Sequence, residues 1–484
     1  MQKRHRGSGS VLVMATIALA AVSQSAAALA PVWEYYAGQA CDIQFSGTAD
    51  VAGNLYWIES CPGSAGYTNQ LVATRSDGTV RYRTPIAAGI GPLTLSGAVI
   101  VYQAGYQSDL CFDYNFARLE ARAISDGHLL WSRDPVADVR SRYPVYPGGS
   151  AVTGCGSHYI SRPATGNGYV AVTAMDQSDR YEPRAALVAL EAATGVVIGM
   201  YQVNAPTGPG GVPGDPMVDV DGNVYALVHS KPTGSQVLSI TFRGDLRFLV
   251  DEPDANSTSR QAPTFDLLAV YKGWLVEGGY SQAPSSTRVK IRSSATGALM
   301  VDSRVYAAVP VLSGNKLRFI GCFSESALCP EGVSLYSVDL ARGTLDWVRP
   351  LTTDGSAIFA SPILTSAGTL VLAQQTYSRT TPEAIFGPAQ LREFDAAGNE
   401  VYQAALPDTQ RGGYGGYPVG YDLAQGYWNP MGDSWDAAIA GGNWVVTGYA
   451  SGAFIRAFPL PGRTIAPSGW ITPRGTQYRA NRPR

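Results

Sequence analysis

The segment LYSVDLARGTLDWV, from Leu335 to Val348, contains the pattern that decides the fold: a strand, a turn that includes glycine, and a second strand. Similar segments occur along the whole chain: LVATRSDGTVRYR from Leu71, LEARAISDGHLLWSR from Leu119, LVALEAATGVVIGMY from Leu187, LSITFRGDLRFL from Leu238, VKIRSSATGALMV from Val289 and LREFDAAGNEVYQ from Leu391. One supersecondary unit repeated in this way is typical of a repeat architecture. The chain is therefore expected to consist of similar β-sheet units.

Each copy has a turn glycine, and most copies have an aromatic residue four positions after it. The glycines are Gly78, Gly127, Gly195, Gly244, Gly297, Gly343 and Gly398, and the aromatic residues are Tyr82, Trp131, Phe248, Trp347 and Tyr402. Tight hairpin turns hold a residue at positive φ, which glycine adopts without steric cost. We expect each aromatic ring to pack across its hairpin against the preceding strand.

A second element precedes each hairpin: a turn with Gly or Asn, followed by an unbroken apolar strand. Its eight copies are AGNLYWI at Ala52, SGAVIVY at Ser96, NGYVAVT at Asn167, DGNVYAL at Asp221, KGWLVEG at Lys272, SGNKLRFI at Ser313, AGTLVLA at Ala367 and GGNWVVTG at Gly441. The last copy is followed by SGAFIRAFPL at Ser451, a degenerate eighth hairpin. Each unit then supplies an apolar inner strand and a more alternating outer strand, as in a propeller blade.

These units predict an all-β chain that folds as a single eight-bladed β-propeller over residues 31–465, with seven blades as the alternative. A linear array needs polar end repeats and leaves sheet edges open, whereas a ring buries its ends against each other. Because the terminal units are as apolar as the middle ones, we expect a ring closed by pairing of the first and last blades. The 54 glycines and 31 prolines agree with many short strands and turns.

The two ends of the chain lie outside this predicted ring. Residues 1–30 read as a signal peptide, with basic residues from Lys3 to Arg6, an apolar run from Val11 to Val22 and small residues from Ser25 to Ala30. Cleavage after Ala30 would leave Pro31 at the new N terminus, so the cut is expected a few residues earlier. A retained N-terminal anchor is the alternative, and no later segment reaches membrane length. Residues 466–484, with four arginines, are expected to form a disordered basic tail.

The composition restricts the compartment and the class of partner. Six cysteines in an exported chain predict three disulfides and a secreted or periplasmic location. By nearest neighbours these pair Cys41 with Cys61, Cys111 with Cys155 and Cys322 with Cys329, whereas a metal site is disfavoured. The net charge of -2 indicates no nucleic-acid partner, and we expect a monomer.

Some hairpins resemble the repeat of the pyrroloquinoline-quinone-like propellers. AISDGHLLWSRDP, ALVALEAATGVV and LYSVDLARGTLDWVRPL are similar to its pattern of an apolar strand, Asp-x-x-Thr-Gly and a following Trp. The resemblance covers most of the mature chain, although only Trp131 and Trp347 keep the Trp. It implies a propeller fold shared by quinone-dependent dehydrogenases and by cofactor-free scaffolds. This chain lacks the vicinal Cys-Cys pair of the dehydrogenases and the lipid anchor of the outer-membrane assembly scaffold.

The insertion RGGYGGYPVGYDLAQGYWNPMGDSWDAA, from Arg411, holds the candidate binding residues. They are aromatic side chains set among glycines and carboxylates: Tyr414, Tyr417, Tyr421, Tyr427, Trp428 and Trp435. Aromatic rings suit stacking on a sugar or on a partner's loop. The alternative is a loop that packs on itself and covers the central channel. A second insertion, from Arg142, is expected at the same face.

Other chemical motifs are weak. Asp219, Asp221 and Asn223 resemble the start of a calcium loop, but Gly222 and the following apolar residues favour a plain turn before a strand. His128, His158 and His229 belong to no catalytic motif.

Two functions remain on these grounds. The first is an exported, non-catalytic propeller that serves as a binding or scaffold module for an envelope or extracellular protein or glycan, without a cofactor. The second is an enzyme with an axial active site, either a quinone-dependent dehydrogenase with calcium or a carbohydrate hydrolase or lyase. An enzyme requires two carboxylates, or a His and a carboxylate, within hydrogen-bond reach in a pocket.

Overall fold

The computed structural model describes most of the chain, and all structural statements below concern this part. The described residues are 28–39, 41–44, 48–64, 66–87, 89–106, 115–143, 158–176, 184–203, 214–228, 235–252, 265–279, 288–303, 306–322, 332–352, 357–359, 362–378, 385–407, 420–422, 427–429, 437–449 and 452–466. The predicted signal peptide, apart from residues 28–30, and the predicted tail beyond Ala466 lie outside this part.

The described chain forms eight antiparallel sheets that follow one another along the sequence, each a blade of a propeller. Blade 1 contains β2 (Asp42–Gln44), β3 (Leu55–Gly63), β4 (Gly66–Thr74) and β5 (Val80–Ile86). Blade 2 contains β6 (Gly89–Ser96), β7 (Val99–Tyr106), β8 (Asn115–Ala123) and β9 (Leu129–Arg133). Helix α1 (Pro135–Arg142) follows, and blade 3 contains β10 (His158–Ile160), β11 (Ala164–Gly166), β12 (Tyr169–Asp176), β13 (Arg184–Glu191) and β14 (Val197–Val203).

The second half of the ring repeats this order. Blade 4 contains β15 (Met217–Val218), β16 (Val224–Val228), β17 (Ser235–Ile240) and β18 (Leu246–Glu252). Blade 5 contains β19 (Phe265–Tyr271), β20 (Trp274–Gly279), β21 (Arg288–Ser293) and β22 (Leu299–Ser303). Blade 6 contains β23 (Tyr306–Ser313), β24 (Lys316–Cys322), β25 (Ser334–Asp339) and β26 (Thr344–Pro350). Blade 7 contains β27 (Ala357–Phe359), β28 (Ile363–Leu364), β29 (Leu370–Ser378), β30 (Ile385–Phe394) and β31 (Glu400–Leu406).

Blade 8 is built from both ends of the chain. Three of its strands are β34 (Ala437–Ala440), β35 (Asn443–Tyr449) and β36 (Gly452–Pro459), and the fourth is β1 (Trp33–Gln39). Strand β1 pairs antiparallel with β36, with Trp33 opposite Ala457. The prediction of eight blades is confirmed, but the ring closes within blade 8, by pairing of the N-terminal strand with β36, and not by pairing of the first and last blades. The segment at Ser451 looked like a degenerate hairpin because the strand outside β36 is β1, from the N terminus. No hairpin turn therefore joins β36 to its outer neighbour.

The position of the apolar strand in each blade corrects the sequence-based expectation. The eight apolar strands, such as β3 and β16, are the second from the axis, and a further strand such as β2 or β15 lies inside each. Residues 55–60 and 224–228 are fully buried, because a strand in the middle of a blade is covered on both faces. The predicted inner strand is therefore the second strand.

The aromatic residues after the hairpins pack between blades, and not across their own hairpins as expected. The Trp131 Nε1–H donates to the carbonyl of Ala192 in the next blade at 2.9 Å, and a Cβ at Gly195 would lie 2.6 Å from the Trp131 ring. Trp347 has the same relation to Ala396 and Gly398. Glycine is therefore required in this turn for two reasons. Gly195 adopts a positive φ of 69°, and a side chain there would overlap the neighbouring Trp131 ring.

Candidate functional site

The strand order gives the propeller two different ends. First and second strands, and third and fourth strands, are joined by short turns at one end, here called the turn face. Second strands connect to third strands, and each blade connects to the next, at the opposite end, here called the loop face. The insertion after β9 and the insertion after β31 both join loop-face strand ends. Both insertions therefore start and finish at the same face, as expected.

The aromatic insertion contributes one described hairpin. It consists of β32 (Gly420–Asp422) and β33 (Tyr427–Asn429), in which Tyr421 is opposite Trp428 and Asp422 is opposite Tyr427. Strand β32 lies beside β27, the innermost strand of blade 7 at its loop-face end. The structure thus brings three of the six candidate residues to the axial side of the loop face. Tyr414, Tyr417 and Trp435 lie outside the described residues.

The three cysteines in the described part of the chain belong to segments that meet at the loop face. Cys41 lies between β1 and β2, Cys61 lies in β3, and the two form the expected disulfide. Cys322 ends β24, whereas Cys111, Cys155 and Cys329 lie outside the described part, in connections between loop-face strand ends. The observed disulfide is compatible with an extracytoplasmic location.

A buried ionic cluster lies near the loop-face ends of blades 4 and 5. Glu252, the last residue of β18, accepts from Lys290 Nζ and from the Arg292 guanidinium at 2.6 Å. The Arg292 Nε–H also donates to Glu277 Oε1 at 2.6 Å. All four side chains are almost fully enclosed. Sequence analysis missed this cluster because its members come from three strands of two blades.

The two carboxyls of this cluster differ in pKa. Burial raises the pKa of Glu277 to about 8, and the neighbouring Glu252 carboxylate acts in the same direction. Burial also acts to raise the pKa of Glu252, but hydrogen bonds from Lys290 and Arg292 outweigh it and hold that pKa below its usual value. The cluster therefore combines one ionised carboxylate with one carboxyl that is neutral over most of the physiological range.

A second ionic group joins helix α1 to blade 3. Asp176, at the loop-face end of β12, is fully buried and accepts from Arg140 Nε at 3.0 Å. Arg184, at the start of β13, lies 4.0 Å from the same carboxylate and donates to the carbonyl of Tyr143. Asp134 caps the helix by accepting from the N–H of Ala137 at 3.0 Å. This group fixes the beginning of the connection that leads into the second insertion.

A third polar group lies at the junction that closes the ring. Tyr35 in β1 donates to the Glu59 carboxylate of blade 1, and Arg83 donates to the Tyr35 hydroxyl at 3.0 Å. Burial, together with Glu59, raises the pKa of Tyr35 to about 12. The Cys61 sulfur lies 3.6 Å from the Glu59 carboxylate. The disulfide and this polar group therefore hold β1 against blade 1.

The described residues offer no accessible acid–base pair in a pocket. Glu252 and Glu277 are adjacent, but both are enclosed and engaged with cations. His128 Nδ1 lies 2.6 Å from Asp126, yet both side chains are exposed in a turn at the turn face. His158 belongs to β10, but its side chain and all of His229 lie outside the described part. Buried paired charges of this kind are enclosed by protein and closed to a substrate, and removing one partner leaves an uncompensated charge.

The calcium-like segment is a turn, as the sequence analysis favoured. The Asp219 carboxylate accepts from the N–H groups of Asp221 and Asn223 at 2.9 Å, and from the Asn223 amide and the Tyr225 hydroxyl. Asp50, Asn54 and Tyr56 repeat the arrangement in blade 1. Within the described residues, no three His, Cys, Asp or Glu side chains are grouped to hold a metal. The Asp219 carboxylate is therefore occupied by donors of its own turn and of the strand that follows.

Sequence comparisons leave the chain without an assigned family, because no protein-family model and no curated protein matches it. The fold is similar to the quinohemoprotein alcohol dehydrogenase from Comamonas testosteroni, with 11% identity, a TM-score of 0.46, and coverage of 91% of this chain and 78% of that chain. It is also similar to a europium-containing methanol dehydrogenase, with 11% identity, a TM-score of 0.34, and coverage of 92% and 81%.

A third solved structure is the β-propeller domain of the Trilobed protease from Pyrococcus furiosus, with 10% identity, a TM-score of 0.42, and coverage of 78% of this chain and 97% of that chain. The resemblance is one of fold. It says nothing about activity. Among the described residues, no helix is long and apolar enough to cross a membrane.

Proposed function

We propose that this protein is an exported, non-catalytic binding or scaffold module for a protein or glycan in the cell envelope or outside the cell, with its recognition surface on the loop face. The observation that carries the proposal is the position of the aromatic hairpin. Strand β32 lies beside β27, so Tyr421, Tyr427 and Trp428 belong to backbone near the axis at the loop face. Loops on a rigid scaffold are the common place for recognition.

The ionic groups beneath this face support a rigid platform. Asp176 anchors the segment before one insertion, and the cluster around Arg292 joins blades 4 and 5 close to the same face. Buried ion pairs hold their strands in one relative position, because separating the partners leaves an uncompensated buried charge. A binding site carried by such strands keeps its geometry when the ligand arrives, which reduces the entropic cost of association.

The enzyme alternative requires groups that the described residues do not present. Their enclosed carboxylates cannot reach a substrate, and their one exposed His–carboxylate pair lies at the turn face. We therefore favour recognition without turnover. Aromatic rings with polar rims bind sugars by stacking and bind protein loops by burying apolar area, and both ligand classes are tested below.

The test is a thermal-shift titration of the mature protein with a panel of oligosaccharides, and separately with pyrroloquinoline quinone plus calcium. A ligand that binds only the folded state raises Tm. The matched variant is Tyr421→Ala/Tyr427→Ala/Trp428→Ala, and the control is Tyr67→Ala, an exposed aromatic residue of blade 1. A sugar-induced shift that disappears in the triple variant alone supports a glycan ligand.

A protein ligand is tested by covalent capture. A photo-crosslinking amino acid is introduced at Tyr421 or at Val51, which is exposed in a turn at the turn face, and cross-linked products are identified in the producing cells. One defined protein partner captured from Tyr421, and absent from Val51, supports the scaffold function. A shift with quinone plus calcium, followed by alcohol oxidation, would refute the non-catalytic function. Shifts that the triple variant preserves would place the binding site elsewhere.

A further inference from the structure

The residues before β1 belong to the folded propeller. The Leu29 N–H donates to the carbonyl of Ala405 in β31, the outermost strand of blade 7, at 2.8 Å. The Leu29 side chain is partly buried and packs against the apolar cluster shared by blades 7 and 8, which includes Leu406 and Phe458. Three residues later, the Val32 N–H donates to Ala457 of blade 8 at 2.8 Å. Leu29 therefore bridges the last two blades of the ring.

This contact conflicts with a signal peptide that ends at residue 30. Export peptidases select small residues in an A-x-A pattern, at the last and third-last positions before the cut. Two cuts have alanine at both positions, after Ala28 and after Ala30, and a cut after Ala27 has Ser25 at the third-last position. A cut after Ala30 removes Leu29 and leaves Pro31 first. Of the other two cuts, the one after Ala28 has the A-x-A pattern and the one after Ala27 has Ser25 in place of the first alanine.

The structure distinguishes the cut after Ala27 from the cut after Ala28. Ala28 is exposed, whereas Leu29 is partly buried and hydrogen-bonded. If Leu29 is the first residue, the donor to Ala405 becomes a protonated α-amino group, and a charged donor makes a stronger hydrogen bond than a neutral amide. A cut after Ala28 therefore places the charged α-amino group of Leu29 beside the Ala405 carbonyl, which accepts its hydrogen bond. The same cut removes the exposed Ala28, so that Leu29 is the first residue.

We infer that the signal peptide is cleaved between Ala28 and Leu29, and that the new N terminus docks on blade 7 as part of the ring closure. The reaction is hydrolysis of one peptide bond: water adds across it, Ala28 leaves with a carboxylate, and Leu29 gains the amine. The propeller domain then begins at residue 29 and not at residue 31. This processing site is independent of what the loop face binds.

The cleavage site is tested on the full chain with its own leader, produced in a bacterium that exports leader-bearing proteins. N-terminal sequencing and intact mass of the exported protein are expected to show Leu29 as the first residue. A mature chain that starts at any other residue, or one that retains the leader, would overturn the assignment.

Docking is tested separately by thermal unfolding. A foreign leader is fused so that the mature chain starts at Leu29, at Val32, or at Leu29 with either Leu29→Asp or Ala30→Asp. Ala30 is exposed and serves as the matched control. The chain starting at Val32 and the Leu29→Asp variant are expected to melt about 1–3 °C lower, because the apolar contact is lost, and Ala30→Asp is expected to match the parent. Equal Tm values in all four proteins would refute docking.

Discussion

The indole ring of Trp33 packs against Gly78, in the hairpin turn of blade 1. A Cβ at Gly78 would lie 2.7 Å from the ring, and the Trp33 Nε1–H donates to the Ser76 carbonyl of the same turn at 2.8 Å. Trp131 and Trp347 make the same contact with their next blades. Trp33 therefore extends the blade-to-blade contact across the junction between the last blade and the first.

The first prediction concerns this contact. We expect Gly78→Ala to lower the free energy of unfolding by about 2–4 kcal/mol, because the methyl group both displaces the Trp33 ring and strains a residue at φ 85°. The control is Gly343→Ala, at φ 64° with open space around the Cβ, which should cost about 1–2 kcal/mol from backbone strain alone. Denaturant unfolding of both variants measures the difference. Equal losses would show that the ring contact contributes nothing.

The second prediction concerns pH. The folded pKa of Glu277, about 8, lies above the ordinary value of 4.5, so the folded protein holds a proton that the unfolded chain releases between these values. Stability should therefore fall as pH rises from 5 to 8. Glu277→Gln copies the neutral form, so its stability relative to the parent should increase over that window, by at most about 1.4 kcal/mol per pH unit.

The neighbouring carboxylate provides the contrast for this experiment. Glu252→Gln removes the ionised carboxylate that accepts from Lys290 and Arg292, and leaves two buried cations beside a neutral Glu277. It should destabilise the protein throughout pH 5–8, by about 3–5 kcal/mol. Urea unfolding at several pH values compares the two variants. A parent whose stability relative to Glu277→Gln does not depend on pH would contradict the assignment of a neutral Glu277.

The third prediction concerns the disulfide Cys41–Cys61, which closes a segment of 20 residues. The double variant Cys41→Ser/Cys61→Ser should lose about 3 kcal/mol, because the reduced unfolded chain gains the entropy of the open loop. The matched control is the Cys322→Ser/Cys329→Ser variant, which opens a shorter loop and should lose less. Non-reducing peptide mapping should also find the predicted pairs Cys111–Cys155 and Cys322–Cys329. Any other connectivity would contradict the nearest-neighbour pairing.

The fourth prediction separates a turn from a cation site. Asp219→Ala should cost about 2–3 kcal/mol, because four donors lose one charged acceptor. Asp221→Ala, in the same turn but exposed, should have almost no effect. Neither calcium nor a chelator should move the Tm of the parent protein. A Tm increase with calcium that Asp219→Ala abolishes would show that the carboxylate binds the ion after all.

The blade architecture could be predicted because its signals are local. Turn glycines such as Gly195 and Gly398 stand at fixed positions relative to the strands, and their positive φ values agree with the expected turns. Innermost strands such as β2 and β15 were missed because they contain only three and two residues, too few to show any periodicity. A strand of two or three residues is too short for its apolar and polar residues to identify it in the sequence.

The contacts between distant residues could not be predicted. Trp33 contacts a carbonyl 43 residues ahead, as Trp347 does at 49 residues, but Trp33 has no preceding turn glycine that would identify it as a member of the series. Glu252 and Arg292 lie on adjacent blades, 40 residues apart, and only the folded ring shows that they meet. For the candidate binding residues, the sequence showed an insertion rich in aromatic residues. The strand order showed that this insertion joins strand ends at the loop face.

The pairing of β1 with β36 also affects the order in which the protein can be completed. Glu34 and Arg456 form an ion pair across this junction although 422 residues separate them in the sequence. Synthesis starts at the N terminus, so β1 exists without its partner until nearly the whole polypeptide has been made. Every truncated product lacking β36 keeps an unpaired strand edge at each side of the gap. Incomplete chains are thereby distinguishable from finished ones by any protease or chaperone that recognises open edges.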